Sequence, residues 1–175
     1  MNRALFLDRD GVINEDYGYV HKIENFHFRE GIFDVCRAAH KARMKIIVVT
    51  NQAGIGRGLY TEQDYKRLTL FMTTSFSKAD ISISGVYYCP FHPTHGIDRY
   101  KQDSYDRKPN PGMLLKAIHD HRLAPEGSIM VGDKLSDELA SARAGISAYV
   151  DATLESWKEK AIYLISQSCH QLDST

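Results

Sequence analysis

Residues 5–11 of the chain read Leu5-Phe6-Leu7-Asp8-Arg9-Asp10-Gly11. A short apolar run followed at once by charged residues is typical of a buried strand that ends at the edge of a parallel sheet. Side chains two residues apart project to the same side of an extended backbone, so we expect Asp8 and Asp10 to leave the strand together while Arg9 points away. Two carboxylates on one face repel each other, and a divalent cation such as magnesium would satisfy both. A solvated acidic turn is the alternative, because aspartate is common in turns.

Further apolar runs alternate with helical patterns along the chain. The predicted strands are residues 4–7, 45–50, 85–89, 128–131 and 146–150. Helices are predicted at residues 31–43, from a capping box at residues 61–64, from Pro111 to about Arg122, at residues 136–144 and at about 154–166. Asn110 is the predicted N-cap of the third helix, and Gly145 closes the fourth. This alternation predicts an α/β fold, a doubly wound parallel sheet of Rossmann-like type with right-handed crossovers.

Length and composition indicate one ordinary globular domain. The chain has 175 residues, 43% hydrophobic and 25% charged, and we expect a single domain over residues 1–175 with its core at about 4–150. Basic and acidic residues both number 22, and a zero net charge argues against nucleic-acid binding. No apolar stretch is long enough for a membrane span and no signal-peptide pattern is present, so we expect a cytoplasmic protein without membrane partners. No pattern indicates an extensive exposed apolar face, and we expect a monomer.

The residues with reactive side chains follow the predicted strands. Ligands of such sheets bind beyond the carboxyl ends of the strands, where four segments would converge: Asp8 and Asp10; Thr50, Asn51 and Gln52; Arg107 and Lys108; Asp133 and Lys134. Three carboxylates could hold Mg²⁺ while a lysine and a hydroxyl contact an anion, an arrangement that suits a phosphoryl group. An aspartate nucleophile is ionised at neutral pH at its ordinary pKa, and a second carboxyl nearby could act as acid and then as base.

The order and spacing of these segments resemble the four motifs of the haloacid dehalogenase superfamily of aspartyl-phosphate phosphatases, over about residues 4–150. Longer sequence segments resemble two groups of this superfamily, the D-glycero-D-manno-heptose 1,7-bisphosphate 7-phosphatases and the histidinol phosphatases. These segments are LFLDRDGVIN, DYGYV, VVTNQAGIGRG, YYCPFHP, RKPNPGM and VGDKLSD. The resemblance implies a fold of the haloacid dehalogenase type without a large cap domain. It also implies a magnesium-dependent phosphoric monoester hydrolase, of the β-anomer type, in nucleotide-activated heptose biosynthesis for surface polysaccharide. The sequence leaves the preferred anomer open.

The resemblance also implies a role for each matching residue. Asp8 would be the nucleophile, Asp10 the general acid and base, and Thr50 and Lys108 the groups that hold the phosphoryl oxygens. Mg²⁺ would be bound by Asp8, by the backbone carbonyl of Asp10 and by Asp133. The substrate would contact Asp16, Tyr17, Gly18, Tyr19, Asn51, Gln52, Arg107 and Lys134. Asp137 would order the rim from behind rather than bind the metal.

The chain departs from the resembled family in the loop after the third strand, where relatives usually bind a structural zinc ion. Cys89 is retained, but Phe91, Ser104 and Asp106 stand at the other expected ligand positions. A closed zinc site needs four ligands, so we expect no structural zinc and expect Phe91, Tyr100 and Tyr105 to hold the loop by packing. A replacement site built from Cys89, His92, His95 and an aspartate is the alternative.

Several functional alternatives remain at this point. The first hypothesis is a phosphatase acting on C7 of heptose 1,7-bisphosphate. The second is a phosphatase of histidinol phosphate or another small sugar phosphate, although cationic residues at the entrance, Arg107 and Lys134, favour an anionic distal group. A non-catalytic phosphosugar-binding module and a phosphotransferase to an acceptor other than water are further alternatives.

Overall fold

A computed structural model describes residues 2–170 of the protein; residues 1 and 171–175 of the predicted domain lie outside them. The strands in this range are β1 (Ala4–Leu7), β2 (Lys45–Asn51), β3 (Ile83–Cys89), β4 (Ile129–Gly132) and β5 (Ala148–Asp151). They form one sheet in the order β3-β2-β1-β4-β5, and every neighbouring pair is parallel. The predicted parallel sheet is therefore confirmed, with β1 at its centre.

The helices are α1 (Ile32–Lys41), α2 (Ala53–Gly56), α3 (Glu62–Lys78), α4 (Gly112–His121), α5 (Leu135–Arg143) and α6 (Trp157–His170). The predicted capping box of α3 is present: Thr61 Oγ1 accepts from the backbone N–H of Asp64 at 3.1 Å, and Asp64 Oδ2 accepts from the N–H of Thr61 at 3.0 Å. Within residues 2–170, no helix combines the length and apolar composition that a membrane span requires.

Side-chain alternation along the strands divides the interior into two cores. Leu5 and Leu7 face one core, which includes residues of α1, α3 and α6, such as Val35, Leu68 and Ala161. Ala4 and Phe6 face the other core, which includes Met113 of α4 and Ala140 of α5. Because both faces of the sheet are covered, its carboxyl edge is left as the place where polar side chains can gather.

Two predicted helix starts are corrected by the structure, and one helix was missed. Helix α4 begins at Gly112 with Pro111 as its N-cap, because the side chain of Asn110 donates to the carbonyl of Ser104 at 3.4 Å instead of capping. Helix α6 begins at Trp157 rather than near residue 154, because Asp151 closes a turn by accepting from the N–H and hydroxyl of Thr153. The one-turn helix α2 was not predicted from its glycine-rich sequence.

Candidate active site

The predicted site residues gather at the carboxyl edge of the sheet, around a cleft of about 520 Å³. Those lining it are Asp8, Asp10, Asp16, Gly18, Tyr19, Asn51, Gln52, Arg107, Lys108 and Lys134. Thr50 is buried at the end of β2, and Asp133 lies beside Asp8. Tyr17 does not line the cleft: it is 65% exposed, and its ring packs edge-on against His27. The structure therefore brings together every predicted site residue except Tyr17.

A buried lysine lies at the base of the cleft. Lys108 is 3% exposed, and its ammonium group donates to the Val49 carbonyl at 2.9 Å. The same Nζ lies 3.0 Å from Asp8 Oδ1 and 2.5 Å from Asp137 Oδ1. Burial alone would lower the pKa of Lys108, but Asp8 and Asp137 raise it, so the side chain is a cation. Asp137, predicted to order the rim from behind, is thus a direct partner of this lysine.

Asn51 holds the backbone of the same lysine. Its Nδ2 donates to the carbonyl of Lys108 at 3.0 Å, and its Oδ1 accepts from the N–H of Lys108 at 3.1 Å. This pair of bonds joins the end of β2 to the loop after β3. Asn51 lines the cleft, but both of its polar atoms are engaged within the protein.

Three carboxylates form a potential metal site. Oxygen atoms of Asp8, Asp133 and Asp137 lie within 4.8 Å of one another. Asp133 Oδ1 is buried and has no hydrogen-bond partner among the described residues. Gly11 lies against this carboxylate, and a Cβ there would fall 2.2 Å from Asp133 Oδ2. Hard oxygen donors with an unsatisfied buried lone pair fit Mg²⁺. The Asp10 carboxylate is not part of the group, which leaves its backbone carbonyl as the atom it could offer.

The electrostatics of this group also favour a cation. Burial raises the pKa of Asp8 to about 7; Lys108 opposes this shift, while Asp137 and Asp10 add to it. Burial likewise raises the pKa of Asp133. The prediction that the nucleophile is ionised at an ordinary aspartate pKa therefore does not hold for Asp8 without a metal. A bound divalent cation would favour the ionised carboxylates.

Asp10 belongs to a second polar network. The prediction that Arg9 points away is wrong, because the chain turns after Leu7 and the guanidinium folds back: Arg9 Nη2 lies 2.9 Å from both Asp10 oxygens. Asn14 Nδ2 donates to Asp10 Oδ1 at 3.1 Å, and Gln52 Nε2 donates to Asp10 Oδ2 at 2.9 Å. The two aspartates that appeared as a pair in the sequence thus have separate sets of partners.

The cleft entrance carries cationic groups on two sides. Arg107 is half-buried and donates to the carbonyl of Phe91 at 3.2 Å. On the other side, Lys134 Nζ lies 3.2 Å from Asp16 Oδ2 and 3.7 Å from Asp133 Oδ2. Asp16 also accepts from the N–H of Gly18 at 2.9 Å. An anionic distal group of a substrate would find a cation on either side of this entrance.

The loop after β3 is held by aromatic and polar contacts. Phe91 packs against the apolar cluster that contains buried Cys89, and its ring centroid lies 6.0 Å from that of Tyr100. The hydroxyl of Tyr100 donates to Glu62 Oε1 of α3 at 2.8 Å. At the other two expected ligand positions, Ser104 Oγ accepts from the backbone N–H of Asp106 at 3.2 Å, and the Asp106 carboxylate pairs with Lys116 at 2.7 Å. Tyr105 is 62% exposed and contributes little packing, contrary to the prediction.

Comparisons with known proteins agree with this arrangement. The HAD-hydrolase-like family model matches residues 105–153. A protein of Burkholderia mallei, named D-glycero-alpha-D-manno-heptose-1,7-bisphosphate 7-phosphatase, is 57% identical over 145 residues, which are 83% of this chain and 77% of the relative. A protein of Haemophilus influenzae, named as the 7-phosphatase of the beta form, is 47% identical over 86% of this chain and 79% of its own length.

Two solved structures have the same fold. A HAD-like phosphatase from Mesorhizobium loti matches with a TM-score of 0.85 at 28% identity, over 95% of this chain and 87% of that one. A D,D-heptose 1,7-bisphosphate phosphatase from B. bronchiseptica, complexed with magnesium and phosphate, matches with a TM-score of 0.75 over 99% of both chains. At 23% identity, this second match shows the fold alone.

Proposed function

This chain belongs to the heptose-1,7-bisphosphate 7-phosphatase family of HAD-like hydrolases and is a phosphatase, and we propose that it removes the C7 phosphate of D-glycero-D-manno-heptose 1,7-bisphosphate. The observation that carries the proposal is the buried ion pair of Lys108 with Asp8, beside a carboxylate cluster at the carboxyl edge of the sheet. A cation and an aspartate in contact at the base of an open cleft suit phosphoryl transfer to a carboxylate.

The reaction proceeds in two displacements. An oxygen of Asp8 attacks phosphorus, the bond from phosphorus to the C7 oxygen breaks, and Asp10 protonates that oxygen as it leaves. Water then attacks the aspartyl phosphate, Asp10 accepts the proton from water, and the bond between phosphorus and Asp8 breaks to release inorganic phosphate. Lys108 and Thr50 hold the phosphoryl oxygens in both steps.

Mg²⁺ fits the oxygen ligands of Asp8 and Asp133 together with the Asp10 carbonyl, and when bound it supplies charge stabilisation to the transferring phosphoryl group. Asp137 keeps Lys108 charged and in place, since it is the nearer of the two carboxylates that contact the ammonium group. This assignment makes the unpartnered Asp133 oxygen a ligand, so a protein without Asp133 should lose its response to magnesium.

Cations at the entrance support a bisphosphorylated substrate. Arg107 and Lys134 line the cleft on the solvent side of Lys108, and the distal phosphate is an anion that both could contact. Histidinol phosphate presents a cationic distal end to the same groups, which disfavours it. The proposal includes a cytoplasmic, monomeric protein acting in nucleotide-activated heptose synthesis for surface polysaccharide, and cell fractionation and light scattering test the first two points.

A phosphate-release assay tests the proposed reaction. The substrates are both anomers of heptose 1,7-bisphosphate, histidinol phosphate and sugar monophosphates, each with magnesium and with EDTA. We expect magnesium-dependent turnover of a heptose bisphosphate, at least tenfold loss with Asp8→Asn, and little change with Asp106→Asn, whose carboxylate pairs with Lys116 at the surface. A preference for histidinol phosphate would overturn the substrate, and full activity of Asp8→Asn would overturn the nucleophile.

The loop after β3 is proposed to hold its shape without zinc. Support comes from the contacts of Phe91, Ser104 and Asp106, which engage these side chains within the protein. The test is elemental analysis of purified protein. We expect substoichiometric zinc, and one zinc ion per chain would overturn the proposal in favour of a site that uses Cys89 and the nearby histidines.

A further inference from the structure

Gln52 lines the base of the cleft but is buried, and both ends of its side-chain amide are hydrogen-bonded. Its Nε2 donates to Asp10 Oδ2 and to Thr50 Oγ1, each at 2.9 Å. Its Oε1 accepts from the hydroxyl of Tyr60 at 2.5 Å. Gln52 is 1% exposed and Tyr60 is 7% exposed. The amide therefore links Asp10, the proposed acid and base, with Thr50, which is proposed to hold a phosphoryl oxygen.

The chemistry of the partners fixes the orientation of this amide. Asp10 Oδ2, the oxygen that Gln52 contacts, already accepts from Arg9, so it presents an acceptor to the NH₂ end of Gln52. The opposite orientation would place Oε1 against the Asp10 carboxylate and leave Nε2 facing Tyr60. Tyr60 can donate its hydroxyl hydrogen to Oε1, which makes the observed orientation the satisfied one.

This orientation also determines what the Thr50 hydroxyl can do. A hydroxyl oxygen that accepts from Gln52 still has its own hydrogen to donate. That hydrogen is then available for a phosphoryl oxygen, which is the role proposed for Thr50. Without Gln52, the hydroxyl could rotate and use its hydrogen elsewhere.

The same amide completes the support of Asp10. Arg9 contacts both oxygens of the carboxylate and Asn14 donates to Oδ1, while Gln52 donates to Oδ2 from the β2 side of the cleft. A general acid must lie within hydrogen-bond reach of the oxygen that it protonates, so small rotations of the Asp10 carboxyl would lower the rate of proton transfer.

We propose that Gln52, held by Tyr60, is a positioning residue that orients the Asp10 carboxylate and the Thr50 hydroxyl for the two displacements. The proposal rests on the roles given to Asp10 and Thr50 in the proposed function. It differs from the sequence-based prediction for Gln52, because it assigns the amide to these two side chains rather than to the sugar.

The test uses Gln52→Leu and Tyr60→Phe, with Tyr65→Phe as the matched control. Tyr65 lies in the same apolar cluster as Tyr60, and its buried hydroxyl has no hydrogen-bond partner among the described residues. With heptose bisphosphate, Gln52→Leu should lower kcat by about 10- to 100-fold, the usual effect of removing hydrogen-bond partners behind active-site groups. Tyr60→Phe should lower kcat by a smaller factor, KM should change little in either variant, and Tyr65→Phe should match the wild type. Thermal unfolding establishes that each variant is folded.

A second measurement separates positioning from sugar binding and from general damage. Phenyl phosphate and 4-nitrophenyl phosphate carry no sugar, and they differ in how much the leaving oxygen needs a proton. If Gln52 orients the acid, Gln52→Leu should reduce kcat/KM for phenyl phosphate about tenfold more than for 4-nitrophenyl phosphate, in the same direction as Asp10→Asn. A structural defect would reduce both equally.

Two outcomes would overturn the proposal. One is a loss confined to KM for the sugar substrate, which would make Gln52 a substrate contact. The other is an equal loss for both aryl phosphates, which would show that Gln52 does not orient the Asp10 carboxylate. Inactivity of the wild type toward heptose bisphosphate would instead count against the proposed function, and the aryl phosphate pair would still test Gln52.

Discussion

Replacing Lys108 by methionine should destabilise the protein strongly, because the substitution leaves buried carboxylates without their cation. The ammonium group contacts Asp8 at 3.0 Å and Asp137 at 2.5 Å, and all three side chains are at most 8% exposed. Removing one partner of a buried ion pair usually costs about 3–5 kcal/mol. Methionine keeps most of the length of the side chain, so the packing around the lysine stem changes little.

The matched control is Lys116→Met. Lys116 makes an ion pair with Asp106 at 2.7 Å, but its side chain is 61% exposed, and an exposed pair contributes at most about 1 kcal/mol. Urea unfolding in EDTA at pH 7.5 measures both variants against the wild type. A loss for Lys108→Met no larger than that for Lys116→Met would refute the reasoning that Lys108 neutralises a buried acidic pair.

A double-mutant cycle gives a sharper version of the same test. Once Lys108 is gone, Asp137 only repels Asp8, so Asp137→Asn should partly restore stability in the Lys108→Met background. In the wild-type background the same change also removes an ion pair. The effect of Asp137→Asn should therefore be more favourable by at least about 1 kcal/mol when Lys108 is absent. Equal effects in the two backgrounds would contradict the geometry.

Three further predictions concern the glycine, the loop and the pH dependence. Gly11→Ala should abolish the increase in melting temperature that magnesium causes, because the new Cβ would displace the Asp133 carboxylate. Gly145→Ala is the control: Gly145 has a similar positive φ, but a Cβ added there would have its nearest neighbour at 3.7 Å, so the magnesium-induced shift should remain. Glu62→Ala should lower stability by about 0.5–1.5 kcal/mol per lost hydrogen bond, because the half-buried hydroxyls of Tyr88 and Tyr100 lose their acceptor. It should also raise KM, because the loop that carries Arg107 loses a contact with α3; unchanged steady-state kinetics would contradict this role. In EDTA, Asp8 should make the protein less stable as the pH rises from about 4 to about 7. Its pKa in the folded state is raised from 3.8 to about 7, so the folded state holds the proton more tightly than the unfolded state does. Urea midpoints across this range should therefore decline less for Asp8→Asn than for the wild type.

The parts of the site that the sequence predicted are those determined by strand termini. The apolar run before Asp8 and the β-branched run before Thr50 specify buried parallel strands, and in such a sheet the residues after them must meet at one edge. The β1–β2 register pairs Leu7 with Val48, so the residues that follow Leu7 lie beside the last residues of β2. Long-range convergence could therefore be inferred from local patterns.

The side-chain partnerships could not be inferred in this way. Period-two alternation assumes that the backbone stays extended, but after β1 the carbonyl of Arg9 accepts from the N–H groups of Val12, Ile13 and Asn14 in a tight turn. The guanidinium then meets the carboxylate of the next residue. Likewise, the contact between Asn51 and the backbone of Lys108 spans 57 positions, and nothing in either local sequence indicates the pairing.

The balance of charge at the base of the cleft gives a physical reason for the metal. Oxygen atoms of Asp8, Asp133 and Asp137 lie within 4.8 Å of one another beside the buried ammonium group of Lys108, and the half-exposed Lys134 approaches Asp133. Three ionised carboxylates against these two cations would leave excess negative charge. A phosphate monoester, itself an anion, cannot approach Asp8 favourably under those conditions. One divalent cation would offset the excess and allow Asp8 to stay ionised as a nucleophile despite its raised pKa. Metal binding and nucleophile activation would then be one electrostatic event, and Lys108 alone could not provide it.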